Sequence, residues 1–172
     1  YLFAGAREWG LATLKQDHMN EAMGGGSYTN VSQLESWLAG QGAAAGRHNV
    51  TLMYCMAPPL ILMHAAAVTA ADSTRAGPDY VEKQGTFQWA IGADSAFHHS
   101  AMGLLPYKDT FFSNASGAYR STTGPFAGYT EKYPWTHALV ALLSGGPVTF
   151  ADTVGSVNTT LVKALARADG VL

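Results

Sequence analysis

The sequence predicts a parallel α/β fold, and three observations support this prediction. Strand and helix patterns alternate along the 172 residues, which is typical of a parallel sheet connected through helices. Residues 50–56 are almost wholly apolar, as expected of a strand buried on both faces of such a sheet. About five strands and five helices can be counted, against eight of each in a closed barrel. We therefore expect residues 1–172 to be one partial (β/α)8 TIM barrel domain.

The first half of the chain predicts three strands and two helices. Leu34, Trp37 and Leu38 recur at helical spacing, and Gly46 is placed to end that helix. Pro58-Pro59 marks the start of the second helix. The predicted strands are 11–15, 50–56 and, weakly, 68–70, and the predicted helices are 31–45 and 60–67.

The second half predicts three helices and two strands around a long Gly/Ser/Thr loop. Helix 87–105 has the clearest pattern, and we expect Pro106 to stop it because proline cannot continue a helix. The other predicted helices are 135–143 and 160–168, the strands are 110–112 and 147–150, and the loop covers 113–134.

Composition excludes several classes of protein. The chain is 48% apolar and 13% charged with a formal charge of −2, so it lacks the basic surface expected of a nucleic-acid-binding protein. No apolar run reaches the roughly 20 residues of a membrane-spanning helix. Cys55 is the single cysteine, so an internal disulfide is impossible, and its apolar neighbours predict a buried structural thiol rather than a reactive one.

Four of the five asparagines lie in N-glycosylation sequons. This enrichment predicts passage through the secretory pathway, with a destination outside the cell or in a lysosome- or vacuole-like compartment. The alternative is coincidence in a chain rich in serine and threonine. The predicted N-glycan sites are Asn30, Asn49, Asn114 and Asn158.

The chain begins at Tyr1 without a methionine or a signal-peptide pattern. We expect it to be a segment of a longer polypeptide. Five strands alone would leave open sheet edges, so we also expect close contact with the remainder of the same barrel domain.

Two aspartates have the residue context of a glycosidase site. Asp17 directly follows the first strand pattern, and Lys15, two residues earlier, should lie on the same side of that strand. Its ammonium would lower the pKa of Asp17 and keep the carboxylate ionised. Asp79 lies 62 residues later in a Gly-Pro loop beside Tyr80, where partial desolvation would raise its pKa towards that of an acid catalyst. Retaining glycoside hydrolysis needs such a pair.

The simpler interpretation is that both aspartates are cap or turn residues. Asp109 is likewise either a substrate contact or a turn residue before a strand. His98 and His99 are adjacent and face different ways on a helix, so we interpret them as a solvated or packed pair and expect no metal and no cofactor.

Three blocks resemble the α-galactosidase and raffinose-synthase superfamily of glycoside hydrolases. Lys15-Gln16-Asp17 resembles its strand-4 signature, Arg75-Ala76-Gly77-Pro78-Asp79 resembles its strand-6 signature, and 143–148 with Ala151-Asp152 resembles its strand-8 segment. The resemblance implies that the chain corresponds to about strands 4–8 of the barrel. It also implies that Asp17 is the nucleophile and Asp79 the general acid/base. The substrate-binding candidates are Lys15, His18, Arg75, Asp109 and Asp152.

The sequence therefore predicts a secreted retaining glycoside hydrolase of α-galactosidase type, acting on α-linked glycans or oligosaccharides. The alternative is a catalytically inactive barrel that serves as an extracellular structural or carbohydrate-binding protein. Transglycosylation would use the same two carboxylates, so these residues do not separate it from hydrolysis.

Overall fold

A computed structural model describes residues 3–6, 8–24, 30–77, 79–80, 96, 99–114 and 131–169. Among the predicted features, Pro78, His98, most of helix 87–105 and most of the long loop lie outside these residues. The chain divides into two compact units. Unit 1 comprises residues 1–75 and 97–105, and unit 2 comprises residues 76–96 and 106–172.

Unit 1 contains a parallel sheet of three strands in the order β1-β2-β3. The strands are β1 (Thr13–Gln16), β2 (Thr51–Tyr54) and β3 (Ala71–Arg75). Leu14 is opposite Leu52 in the β1–β2 pair, and the register shifts between Leu52 and Met53 in the β2–β3 pair. The parallel arrangement confirms the predicted α/β class for this unit.

Three helices of unit 1 follow from local sequence signals. They are α1 (Met19–Gly24), α2 (Val31–Arg47) and α3 (Pro59–Ala65). The Asn30 side chain accepts a hydrogen bond from the Gln33 N–H at 2.9 Å, which satisfies one of the unpaired amides at the start of α2. Helix α3 begins with Pro59, a residue whose fixed φ and missing N–H suit the first turn.

The core of unit 1 lies between α2, α3 and the sheet. Leu34 and Leu38 of α2 are fully buried with Leu52 and Tyr54 of β2 and Ile61 of α3. Gly42 continues the buried face of α2, because a Cβ there would lie only 2.3 Å from Cγ1 of Val68. Glycine at this position therefore allows the helix to approach the turn after α3.

Unit 2 is built around two packed helices, α4 (Pro134–Ser144) and α5 (Thr159–Leu165). Phe111, Phe112, Ala138, Ala141 and Leu161 form its apolar core. Phe111 forms a parallel bridge with Phe150, and the Ala151 N–H donates to the Phe111 carbonyl at 2.9 Å. Strand β4 (Leu105–Tyr107) ends in this unit, where the Tyr107 carbonyl accepts from the Ala76 N–H at 2.9 Å.

Two adjacent glycines follow α4. Gly145 ends the helix with a left-handed φ of 80°, and its N–H donates to the Leu142 carbonyl at 3.3 Å; glycine adopts this conformation without a steric penalty. A Cβ on Gly146 would lie 2.3 Å from the carbonyl oxygen of Pro106. The pair therefore turns the chain and then brings it against β4.

Several predicted elements differ from the structure. The weak strand 68–70 is wrong: Val68 belongs to a turn in which its carbonyl accepts from Ala71 N–H, and the strand is 71–75. The predicted end of helix 87–105 is also wrong, because 105–107 is a strand. Predicted strands 110–112 and 147–150 are reduced to the Phe111–Phe150 bridge.

Candidate active site

Asp17 lies at the carboxyl end of β1, beside the corresponding end of β2. Gln16 and Tyr54 are the last paired residues of the two strands, and the Cys55 N–H donates to the Gln16 carbonyl at 2.9 Å. The chain then turns at His18, which has a positive φ of 54°. This register brings Asp17 next to Cys55, both in the first position after a parallel strand.

The Asp17 carboxylate is stabilised in its ionised form. Partial burial alone would raise its pKa, but hydrogen bonds from the Cys55 thiol and the His18 backbone amide, with the charge of Lys15, hold the pKa below its usual value. The His18 N–H lies 2.7 Å from Oδ1, and Lys15 Nζ lies 3.8 Å from Oδ2. The direction agrees with the sequence prediction, although hydrogen bonding contributes more than Lys15.

Cys55 is fully buried, as predicted, and it also contacts Asp17. Burial, followed by the hydrogen bond to Asp17, raises the pKa of its thiol to about 11, while the charges of Arg75 and Lys15 oppose this rise. The side chain is therefore a protonated thiol at neutral pH and can donate to the carboxylate. Sequence reasoning missed this contact, although aligning the two strand ends would have revealed it.

Arg75 and His18 occupy different environments around Asp17. Arg75 is the last residue of β3 and is half-buried on the side of Cys55. His18 is exposed, and its Nδ1 lies 3.1 Å from Oε1 of Glu21. Unit 1 thus brings together Asp17, Lys15, His18 and Arg75 at the carboxyl ends of its strands, the edge where β/α folds place their active sites.

Asp79 belongs to unit 2, where its exposed side chain precedes the buried Tyr80. The Gly-Pro loop predicts partial desolvation for this carboxylate, and the structure instead leaves it in contact with solvent. The pairing of the Asp17 and Asp79 carboxylates stays a prediction.

Asp109 and Asp152 each bind a backbone amide within unit 2. Asp109 Oδ2 accepts from the Tyr80 N–H at 2.6 Å. Both carboxylate oxygens of Asp152 accept from the Ser113 N–H, at 3.1 and 2.9 Å. Each aspartate therefore holds a loop, and the substrate contacts predicted for them stay predictions.

A buried polar cluster beside Asp79 was not predicted. It consists of Tyr80, Lys108, Glu131 and His137, all at most 4% exposed. The Tyr80 hydroxyl donates to Glu131 Oε2, His137 Nε2 lies 3.5 Å from the same oxygen, and Lys108 Nζ lies 5.2 Å from the centre of the Tyr80 ring. These residues come from separate segments and share no sequence pattern.

Burial sets the protonation of this cluster. Desolvation lowers the pKa of Lys108 to about 8, against the opposing charges of Asp109 and Glu131. Desolvation, together with the charge of Lys108, lowers the pKa of His137 to about 4, while Glu131 opposes the shift. His137 is therefore neutral at physiological pH.

The described residues hold no group of three metal-binding side chains, and none of their helices is long and apolar enough to cross a bilayer.

No family model and no curated protein matches this chain. Its structure is similar to a crystal structure of a GH27 β-L-arabinopyranosidase variant from Geobacillus stearothermophilus in complex with arabinose, with a TM-score of 0.64 and 14% sequence identity. The likeness is one of fold. It covers 94% of this chain but 38% of the other, so the chain spans well under half the length of that enzyme. A parallel α/β fold matching part of a glycosidase is thus confirmed, and the closed barrel stays a prediction.

Proposed function

We propose that this chain is part of a retaining glycoside hydrolase of α-galactosidase type, with Asp17 as nucleophile and Asp79 as general acid/base. The observation that carries the proposal is the position of Asp17: it follows a parallel strand in a fold similar to a GH27 glycosidase, the family that also holds α-galactosidases. Its three hydrogen-bonding and charged neighbours keep it ionised.

The proposed reaction is a double displacement. Asp17 attacks the anomeric carbon and forms a glycosyl–enzyme ester, while Asp79 gives its proton to the departing glycosidic oxygen. Asp79 then takes a proton from water as that water attacks the ester, which releases the sugar with retained configuration. Cys55 acts by donating to Asp17, and Lys15, His18, Arg75 and Asp152 are the candidates for holding the sugar.

The substrate class follows from the stereochemistry that the two kinds of glycoside share. A β-L-arabinopyranoside has the ring configuration of an α-D-galactopyranoside and lacks only the C5 hydroxymethyl group. We therefore propose an α-linked galactoside or its arabinoside counterpart as the substrate. An inactive barrel that binds carbohydrate or has a structural role is the alternative outcome.

We also propose that the protein is a secreted or lysosome-like glycoprotein. Support comes from exposure: Asn30 and Asn49 are exposed, whereas Asn114 and Asn158 are half-buried. The Asn30 Oδ1 caps α2, and a glycan on Nδ2 leaves that acceptor in place. Peptide mapping with and without endoglycosidase treatment tests each site.

The decisive experiment uses the whole protein that contains this chain, expressed in a secretory host. Hydrolysis of 4-nitrophenyl α-D-galactopyranoside and β-L-arabinopyranoside is measured for the wild type, Asp17→Asn and Asp169→Asn. We expect Asp17→Asn to lose on the order of 10³-fold or more in kcat. The control, Asp169, pairs with Arg167 at 2.7 Å on the surface and should retain full activity. NMR of the first-formed sugar should show the retained anomer, which is α-D-galactose from the galactoside and β-L-arabinose from the arabinoside.

Two results would overturn the proposal. Equal activity of Asp17→Asn and Asp169→Asn would remove the nucleophile assignment. A wild-type protein that cleaves neither glycoside would remove the proposed hydrolysis, and binding of galactose or arabinose by that protein would favour the carbohydrate-binding alternative.

A further inference from the structure

Tyr80, the residue after Asp79, is held at both of its hydrogen-bond donors. Its N–H donates to Asp109 Oδ2 at 2.6 Å, and its hydroxyl donates to Glu131 Oε2. The N–H belongs to the peptide plane that joins Asp79 to Tyr80. Because that plane is rigid, a hydrogen bond to it restricts the backbone of Asp79 as well.

The ring of Tyr80 is also held, through burial and ring contacts. It is 4% exposed and packs edge-on against Phe112 and His137, with centroids 5.6 and 5.7 Å apart. Lys108 Nζ lies 5.2 Å from the ring centre. Tyr80 cannot shift without breaking buried contacts on several sides, whereas Asp79 itself is exposed. The exposed carboxylate is therefore attached to a buried, tightly packed neighbour.

We propose that Asp109 and Glu131 are positioning residues that hold Tyr80 at its two ends and thereby orient the carboxylate of Asp79. The inference rests on the proposed function, because it assigns Asp79 the role of acid/base. It also changes the interpretation of Asp109, which here acts through the Tyr80 amide and not on the sugar. Correct orientation matters because a misplacement of about 1 Å can cost on the order of 10²-fold in rate.

The test compares substrates that differ in their need for acid catalysis. Phenyl α-galactoside needs protonation of its leaving oxygen, whereas 2,4-dinitrophenyl α-galactoside does not, so only the phenyl substrate detects a misplaced acid. We expect Tyr80→Phe and Asp109→Ala to lose on the order of 10-fold or more in kcat/KM on the phenyl substrate with KM nearly unchanged, and to keep nearly the wild-type kcat/KM on the dinitrophenyl substrate. Asp109→Asn keeps an acceptor oxygen and should restore most of the loss.

Tyr133→Phe is the matched control: it removes a phenolic hydroxyl, as Tyr80→Phe does, but from a side chain that is half exposed. Equal losses in kcat/KM on both substrates would mean a merely structural role. A rise in KM for Asp109→Ala would make Asp109 a substrate contact. No loss at all would leave Asp79 independent of Tyr80. Each of these three results overturns the proposal.

A second readout does not depend on activity. Hydrogen exchange at the Tyr80 amide should accelerate in Asp109→Ala and stay slow in Asp109→Asn, because only the alanine variant lacks an acceptor for that N–H. If the wild type hydrolyses no glycoside, the proposed function fails and the orienting role is judged on this amide alone. Fast exchange in the wild type would then overturn it.

Discussion

Gly40 and Gly42 lie two residues apart on α2, and the same substitution should change stability in opposite directions at the two positions. A Cβ on Gly40 meets nothing within 4 Å. Alanine in an exposed helix interior is favoured over glycine by about 1 kcal/mol, so Gly40→Ala should stabilise unit 1 by about that amount. A Cβ on Gly42 would lie 2.3 Å from Val68 Cγ1. Gly42→Ala should therefore gain the same helix propensity as Gly40→Ala but lose stability through this steric clash.

The packing loss can be bounded from this contact. Ordinary carbon contacts lie about 3.5–4.0 Å apart, so Cγ1 must move by more than an ångström. Val68 is 7% exposed and branched at Cβ, which leaves it few alternative rotamers. Overpacking of this kind costs about 1–3 kcal/mol. Because the helix preference cancels between the two variants, Gly42→Ala should be about 1–3 kcal/mol less stable than Gly40→Ala.

Urea unfolding followed by circular dichroism measures this difference, provided that the slope stays constant. Val68→Ala supplies the control, because it removes Cγ1 and leaves room for the new methyl. In the double variant most of the Gly42→Ala penalty should vanish, with a coupling energy of about 1–3 kcal/mol. The reasoning is refuted if Gly42→Ala proves as stable as Gly40→Ala, or if the two substitutions at 42 and 68 are simply additive.

Three further predictions concern charge, capping and the nucleophile. His137 has a folded pKa of about 4 against 6.5 unfolded, so the unfolded state binds more protons between these values and stability should fall as pH drops from 6.5 to 4. The free energy of unfolding should fall by up to about 3 kcal/mol over this range. The urea midpoints of the wild type and His137→Gln should therefore converge as the pH falls, whereas midpoints that change in parallel would contradict the lowered pKa of His137. Asn30→Ala should cost about 1 kcal/mol by removing the cap of α2, whereas Asn30→Asp should keep the cap and lose only the glycan; equal destabilisation of both would dismiss the cap. Cys55→Ala removes a hydrogen-bond donor to Asp17, so it should raise the pKa of Asp17 and move the acidic limb of the kcat/KM profile to higher pH. Cys55→Ser keeps a donor and should return the limb to its wild-type position; unchanged profiles would rule out the thiol contact.

Elements with strong local signals were predicted well. Helix 31–45 corresponds to Val31–Arg47, because a capping asparagine and apolar residues at helical spacing define it locally. Strand 50–56 contains Thr51–Tyr54, in which Leu52 and Tyr54 are fully buried and Thr51 and Met53 only partly so; the apolar run located the strand although it overstated burial of the second face. These signals lie within the segment itself, so no knowledge of distant contacts is required.

Strands without an apolar run were misplaced. Residues 71–75 read Ala-Asp-Ser-Thr-Arg, yet Ser73 and Thr74 are buried, and pairing with neighbouring strands makes them a strand. Strand 105–107 was missed, and its first residue, Leu105, was assigned to a helix end because Pro106 looks like a helix stop. In both cases the neighbouring strand decides the structure, and a local pattern does not contain that information.

The candidate site was predictable only where it follows strand ends. The proximity of Lys15 and Asp17 follows from strand periodicity, and their ion pair is present. The cluster of Tyr80, Lys108, Glu131 and His137 joins segments up to 57 residues apart in the sequence, and its polar residues would have been assigned to the surface. Within it the Tyr80 hydroxyl donates to the Glu131 carboxylate, and a contact between such distant segments cannot be read from either segment alone.

Gly145 and Gly146 are both glycines, but they should differ in which substitutions they tolerate. At 145 the restriction is on the backbone dihedral, so asparagine, which enters the left-handed region more easily than other side chains, should survive selection there. At 146 the restriction is on volume, since any Cβ would meet the Pro106 carbonyl, and even alanine should be eliminated. If every amino acid were introduced at each position and folded variants were selected, several residues should be recovered at position 145, and almost none except glycine at position 146. In a search for distant relatives, Asn-Gly at this turn would be an acceptable match, whereas Gly-Asn would indicate a different backbone.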